Sequence, residues 1–501
     1  MSRSRCCIAV SEEIKVARNA KGNGAKRSNP KPAKMPNAKS AALMAAPRSG
    51  VAVRMYRQGL GDSFLLAFPR GSDRPFYMLI DCGVIIGQGK NRPDIRRVAR
   101  HIAESTGRHL DLVVATHQHW DHLSGFVDAL DEFKRITIDR LWVAWTEDPN
   151  DEIARRLRAQ RRKLTMSLQA AAARLPTANR INQTGPAWMD SFDGMLGFLG
   201  VGADRSTEKA LTNITALCAP TYCKPGDSLR LEGAASNIRV HVLGPPHDEK
   251  KIKQYTDKVS DPQTYKIGDA TMETQAAFLA AALGQDDGDG SFATYPFELR
   301  EQVTRTTARE RYRRLWKDAF GHPREWRTIG LDWIRSAATL ALQLDNATNN
   351  TSLALAIELG QSGKVLLFPA DAQVGNWLSW HDHTWKDASG KDVSAADLLA
   401  RTVLYKVGHH ASHNATLRQR GLELMQRDDL IAMVPLDRAT AKKKKWVMPW
   451  PKLQAGLVKA TKGRILQVDD DKPASKLAAW KKFRQVLTAE TDLYYEVNIT
   501  G

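Results

Sequence analysis

The stretch Leu112-Val113-Val114-Ala115-Thr116-His117-Gln118-His119-Trp120-Asp121-His122 decides how this chain is read. A short β-branched apolar run passes directly into four imidazole or carboxylate side chains within six positions. A hydrophobic core has no use for polar groups at that density, whereas imidazole and carboxylate together suit borderline metals. In extended backbone alternate side chains share a face, so His117 and His119 can grip one ion. Asp121 and His122, past a turn, then reach a second about 3.5–4 Å away.

On the N-terminal side, VAVRMY (51–56), SFLLAF (63–68) and FYMLID (76–81) are β-branched or aromatic runs bounded by Gly, Asp or Pro, and they predict consecutive strands. Residues 92–107 set Ile95, Val98, Ala99 and Ile102 at helical spacing and end in Gly107, which predicts a strand, helix, strand unit leading into LDLVVAT. After Trp145 the period becomes helical, with Ile153, Leu157, Leu164, Leu168 and Leu175 on one face and Arg155, Arg156, Arg158, Arg161, Arg162 and Lys163 around it. Strand-like DSLRL and NIRVHVLGPP follow, then a second mostly helical stretch containing RERYRRLWKDAF. TSLALAIEL, KVLLFPAD, TVLYKVGHH and LIAMVPL are again strands, separated by helices near Val374 to Trp380 and Asp397 to Leu399. The patterns predict mixed α and β structure with helical insertions at about 146–225 and 249–345.

The net charge is +19, of which residues 1–50 carry +9 through eleven Lys/Arg against Glu12 and Glu13. From about Ala20 to Gly50 large apolar residues are nearly lacking, so the segment 1–50 is expected to be a disordered basic tail, with the folded domain over 51–501. The five cysteines form no CxxC pair, which speaks against a disulfide framework or a cysteine zinc site. No apolar run approaches the roughly 20 residues a membrane helix needs, and the opening MSRSRCCIAV is too short and charged for a secretory core. A cytoplasmic protein without a membrane partner is expected.

HxHxDH after an apolar strand resembles the signature of the metallo-β-lactamase superfamily, and other positions follow in that family's order. The resemblance implies that Asp81, at the end of FYMLID, orients the metal histidines by hydrogen bonds from behind, and that Asp371 in KVLLFPADAQ bridges the two ions. It implies a last metal histidine in the pair His409-His410, with His409 preferred as ligand and His410 as a substrate-side group, an order that can be reversed. The histidine expected between these motifs is His247, after GPP, with His241 as runner-up; His381 and His383 fall out of order. The words QGLGDSFLL, LIDCG, HQHWDHLSG, VLGPP, NNTSLAL, LLFPADAQ and YKVGHHASH resemble the hydrolase domain of bacterial competence DNA-uptake channels and its free-standing relatives, over about half the chain. Phe368-Pro369-Ala370 stands where Thr-Gly commonly precedes the aspartate, and Ala411 where a Gly commonly follows the histidines.

The resemblance implies an α/β (α+β) four-layer αβ/βα sandwich with two helical insertions. It also implies a hydrolase using two divalent ions, zinc first and manganese or iron as alternatives. Water activated between the ions would be the nucleophile, with Asp121 and His410 in the catalytic group, so Ser124, Cys82 and Cys218 are not expected to attack. The basic tail, the Arg-rich helix, RERYRRLW and Lys442 to Trp446 favour a nucleic-acid phosphodiester as substrate. Two alternatives stay open: a small-molecule esterase or phosphodiesterase with a helical lid, and a nucleic-acid- or partner-binding protein with a degenerate metal site.

Overall fold

The computed structural model describes residues 43–501 except 72–73, 86–91, 180–195, 198, 200–205, 235–237, 255–331, 471 and 482, with backbone alone at 171–179, 332–338 and 361. The structure is mixed α/β. One sheet has eight strands in the spatial order Leu487–Glu490, Tyr494–Ile499, Val51–Tyr56, Ser63–Phe68, Phe76–Cys82, Leu112–Ala115, Leu141–Ala144, Pro220–Cys223. The other has seven: Ile465–Gln467, Ile431–Val434, Thr402–Lys406, Lys364–Phe368, Ala354–Leu359, Arg239–Gly244, Ser228–Arg230.

The period of two along each strand explains how these sheets stack. Every residue of Val51–Tyr56 is buried. Val51, Val53 and Met55 enter a core that also contains Leu355, Ile357 and Leu404 of the second sheet, whereas Ala52 and Tyr56 face the helix Ile95–Ser105. The second sheet mirrors this: Ala354 and Ala356 turn away from the shared core toward the helices Val374–Trp380, Ala395–Ala400 and Pro451–Thr461. One core therefore lies between two sheets, and helices cover both outer faces.

Two of the covering helices carry side-chain start signals. Asp94 caps Ile95–Ser105 by accepting from Arg96 N, and Ser394 with Asp397 forms a reciprocal capping box at Ala395–Ala400.

Each sheet passes from antiparallel to parallel pairing, and the change of direction positions the site. Phe76–Cys82 is antiparallel to Ser63–Phe68 but parallel to Leu112–Ala115. Lys364–Phe368 is antiparallel to Ala354–Leu359 but parallel to Thr402–Lys406. The C-terminal ends of these four strands and the loops after them carry Asp81, His117 to His122, Asp371 and the His409-His410 pair, where open α/β sheets bind ligands.

Three expectations change. The basic tail lies outside the described residues only as far as 42: Met44 is buried, its N–H donates to Ser105 O and its carbonyl accepts from Tyr77 Oη, because the apolar ALMAAP can pack. Pro220–Cys223, placed within the first insertion, pairs with Leu141–Ala144 and extends the first sheet. Tyr494–Ile499 pairs along the whole length of Val51–Tyr56 and was not foreseen as a strand. RERYRRLWKDAF and most of the second insertion lie outside the described residues. The first insertion does form the long helix Glu152–Asn179, with Leu164 and Leu168 buried. No helix of the described residues is long and apolar enough to cross a membrane.

Candidate metal centre

The strand Leu112–Ala115 delivers Thr116 and His117 to the edge of the first sheet, and a short helix beginning at Trp120 turns Asp121 and His122 back inward. That turn is tight. A Cβ on Gly83 would stand 2.3 Å from the Asp121 carbonyl oxygen, so only glycine lets the LIDCG loop lie against it. His117 Nε2 and His119 Nδ1 approach to 3.1 Å.

Asp121, His122, Asp371 and His410 offer ligand atoms that all lie within 4.8 Å of one another, and all four are buried. His122 Nε2 is 3.2 Å from Asp371 Oδ2 and 3.6 Å from Asp121 Oδ2; His410 Nε2 is 2.7 Å from Asp121 Oδ2 and 3.7 Å from Asp371 Oδ2. Motifs from both sheets thus meet, 289 residues apart in the case of Asp121 and His410.

The ring orientations are fixed from behind. Asp81, whose backbone is left-handed (φ 55°), accepts from Thr116 N and Thr116 Oγ1 and bonds His122 Nδ1 at 2.7 Å. With its proton given to Asp81, the Thr116 hydroxyl can accept from His117 Nδ1 at 3.1 Å. His410 Nδ1 donates to Pro435 O at 2.7 Å. In all three histidines Nδ1 is occupied and Nε2 is turned toward the cluster, where its lone pair could go to an ion once any proton on it is displaced.

Asp371 is held just as firmly. Its Oδ1 takes Lys406 Nζ at 3.1 Å and the His409 N–H at 2.9 Å, which leaves Oδ2 to the histidines. Lys406 is itself buried and also bonds Asp62 Oδ2 at 2.5 Å and Ala370 O at 2.8 Å.

The electrostatics match a cation site. Burial alone would discharge His122, but Asp371, Asp62, Asp121 and Asp81 outweigh it and raise its pKa well above the ordinary histidine value. Burial likewise opposes charge on Asp371 and Asp121, but Lys406 and His122 beside the first, and His122 and His410 beside the second, hold both below the carboxylate range. Burial keeps His117 well below its usual value and His119 at about 3, so both are neutral, as metal ligands must be. Among the described residues Asp121 Oδ1 and His122 Nε2 are buried without a hydrogen-bond partner. Buried polar atoms are rarely left so, and an imidazole and carboxylate donor set of this kind fits a divalent ion.

Two other groupings do not qualify. Asp62, Asp81 and His122 lie close together, but Lys406 and Thr116 already occupy the two carboxylates. In the set His109, Asp111 and Asp139, Arg70 and Arg74 hold the buried Asp111.

Two expected ligands stand elsewhere. His247 is 42 % exposed, bonds Asp151 Oδ2 at 2.8 Å and packs 4.2 Å from the Trp145 ring. The turn that carries it is committed to packing: a Cβ on Gly244 would lie 1.9 Å from Asn376 Oδ1. His241 pairs with Glu358 inside the sheet, and His381 bonds Arg420 O. Of the histidine pair, His410 joins the cluster, while the His409 ring bonds Ser412 Oγ at 2.8 Å and approaches Gln373 and Asn349.

The reason is backbone geometry: His409, His410 and Ala411 are successive left-handed residues (φ 41°, 48° and 60°), which aims the second ring inward. Ala370 is also left-handed (φ 51°), so both alanines that depart from the resembled pattern sit where glycine is least strained.

Sequence reasoning overlooked Asp62, Lys406 and Asp345. Lys406 had a signal, a lysine closing an all-buried strand. Asp345 had a fainter one, an acid on the buried stripe Leu340, Ala341, Leu344, Thr348 of the helix Asp332–Asn349.

No protein-family model matches the chain, and no curated protein matches its sequence.

Proposed function

We propose that this chain is a metal-dependent hydrolase of the metallo-β-lactamase fold that cleaves phosphodiesters. The observation that carries the reading is the convergence of Asp121, His122, Asp371 and His410 beside the close pair His117 and His119. The two stacked sheets with helices outside, and a site at the ends of their central parallel strands, support the fold assignment. Two divalent ions, zinc first, would be held by His117 with His119 and by Asp121, His122 and His410, with Asp371 able to serve both. When bound, such ions supply a low-pKa water and polarise the scissile oxygen.

The protein's own groups do the positioning. Asp81, Thr116 and Pro435 fix the ring tautomers, and Lys406 with the His409 amide fixes Asp371. The substrate-side place passes from His410 to His409, which burial holds at about 4 and therefore neutral, a hydrogen-bonding group at pH 7.

A phosphodiester is favoured by the arginines of the inserted helix. Arg158, Arg161 and Arg162 line a cavity of about 400 Å³ that includes Gln118, between the first two histidines, and Thr348. The same cavity favours the second reading, a compact phosphodiester or ester under a helical lid, because Glu147 and Glu208 pair with Arg161 and Arg162 and moderate the charge. Nucleic acid and a bis-aryl phosphodiester, assayed on metal-loaded wild type and His119→Ala, test both. Cleavage of DNA or RNA lost in the variant is expected. Cleavage of the small ester alone, unaffected by competing nucleic acid, would favour the second reading, and metal-loaded protein inert to all of them would overturn the phosphodiester assignment.

A further inference from the structure

His119 presents two ring nitrogens to two different neighbours. Nδ1 lies 3.1 Å from His117 Nε2, the ligand atom of its partner. Nε2 lies 3.8 Å from Asp345 Oδ1. Asp345 belongs to the helix Asp332–Asn349, which no motif of the metal centre includes, yet it is 5 % exposed. Its Oδ2 accepts from Asn349 Nδ2, one turn further on, at 3.2 Å, while Oδ1 has no hydrogen-bond partner among the described residues.

A buried carboxylate oxygen without a hydrogen bond is costly unless a charge or a donor compensates it. The other histidines of the centre show what compensation looks like here. His122, His117 and His410 each have the nitrogen remote from the cluster tied to Asp81, Thr116 or Pro435.

Building on the metal-centre reading, we infer that Asp345 is the corresponding positioning residue for His119: with Nδ1 given to the ion shared with His117, Nε2–H is held by the Asp345 carboxylate. At 3.8 Å the two atoms lie just beyond hydrogen-bond length, and a movement of about 1 Å closes the gap.

The helix is placed to act on both halves of the centre. Asn349, on the same face as Asp345, reaches His409 Nε2 at 3.4 Å. A helix from the inserted segment therefore braces one histidine from each sheet, and what orders that helix orders the metal ligands.

Asp345→Asn and Asp345→Ala are compared with wild type by titration with Zn²⁺ against a competing chelator and by the absorption spectrum of the Co²⁺-loaded proteins. Loss of such an outer partner weakens metal affinity about 10–100-fold. Asp345→Ala is expected to lose that factor at one of two ions with a changed Co²⁺ spectrum, while two equivalents still bind at saturation. Asp345→Asn, nearly isosteric and still able to accept the N–H, should fall between. Wild-type affinities and spectra in both variants would overturn the inference. So would loss of a whole equivalent from Asp345→Asn that excess metal does not restore, since that marks a direct ligand. Wild type binding no ion would instead overturn the metal-centre reading, and this inference with it.

Discussion

Replacing Lys406 by Met tests how the acidic centre is kept folded. The ammonium lies between Asp62 and Asp371, with all three residues at most 3 % exposed. Methionine preserves the stem but removes the three contacts to Asp62, Asp371 and the Ala370 carbonyl. Stripping one partner from a buried ion pair costs about 3–5 kcal/mol, because the remaining charge is uncompensated. For a folded unit of about 460 residues an unfolding entropy near 1 kcal/mol per kelvin turns that into a fall in Tm of about 3–5 °C.

The deficit has a pH signature. Burial already raises the Asp62 carboxyl, and Lys406 opposes that rise. Without Lys406 the Asp62 carboxyl titrates higher still in the folded state and Asp371 loses the main charge that holds it low, so the loss is full above neutral pH and shrinks as they protonate on acidification. Calorimetry of the chelator-treated proteins from pH 5 to 8 reads both. A Tm at pH 8 within about 1 °C of wild type would refute the reasoning.

Two further outcomes follow from the same geometry. His410→Ala should bind one metal equivalent fewer by elemental analysis, whereas His409→Ala should keep two; equal losses would contradict the reversed assignment. In metal-free protein the raised His122 contributes stability that is complete below its unfolded value near 6.5 and fades as pH rises through its folded value. Metal must displace that proton, so the rise in Tm produced by Zn²⁺ should grow with pH across neutrality, and a rise independent of pH from 6 to 8.5 would count against it.

The central strands of both sheets were legible because their residues alternate between two apolar environments, and HQHWDH was legible because its ligands are contiguous. Asp371 too could be placed by its position at the end of a buried strand. What escaped depends on contacts between distant parts of the chain. His409 and His410 are chemically equivalent in the sequence, and only three consecutive left-handed residues choose between them. His247 occupies a familiar position after a Gly-Pro-Pro turn, but the close approach of Asn376 to Gly244 settles where that turn goes. Asp345 lies 224 residues from Asp121, and nothing local to it names a partner. In Tyr494–Ile499 the buried Tyr495, Val497 and Ile499 alternate with half-buried Tyr494, Glu496 and Asn498, and this short, partly polar run concealed a strand that pairs with the first.

The proposed centre would take two divalent ions, through His117 and His119 on one side and Asp121, His122 and His410 on the other. It is tested most directly by the metal content of the purified full-length protein beside that of His122→Ala. About two equivalents are expected in wild type and at most one in the variant, with overall fold retained by circular dichroism. Wild type that takes up no ion even after reconstitution, or a His122→Ala protein that still binds two, would contradict it.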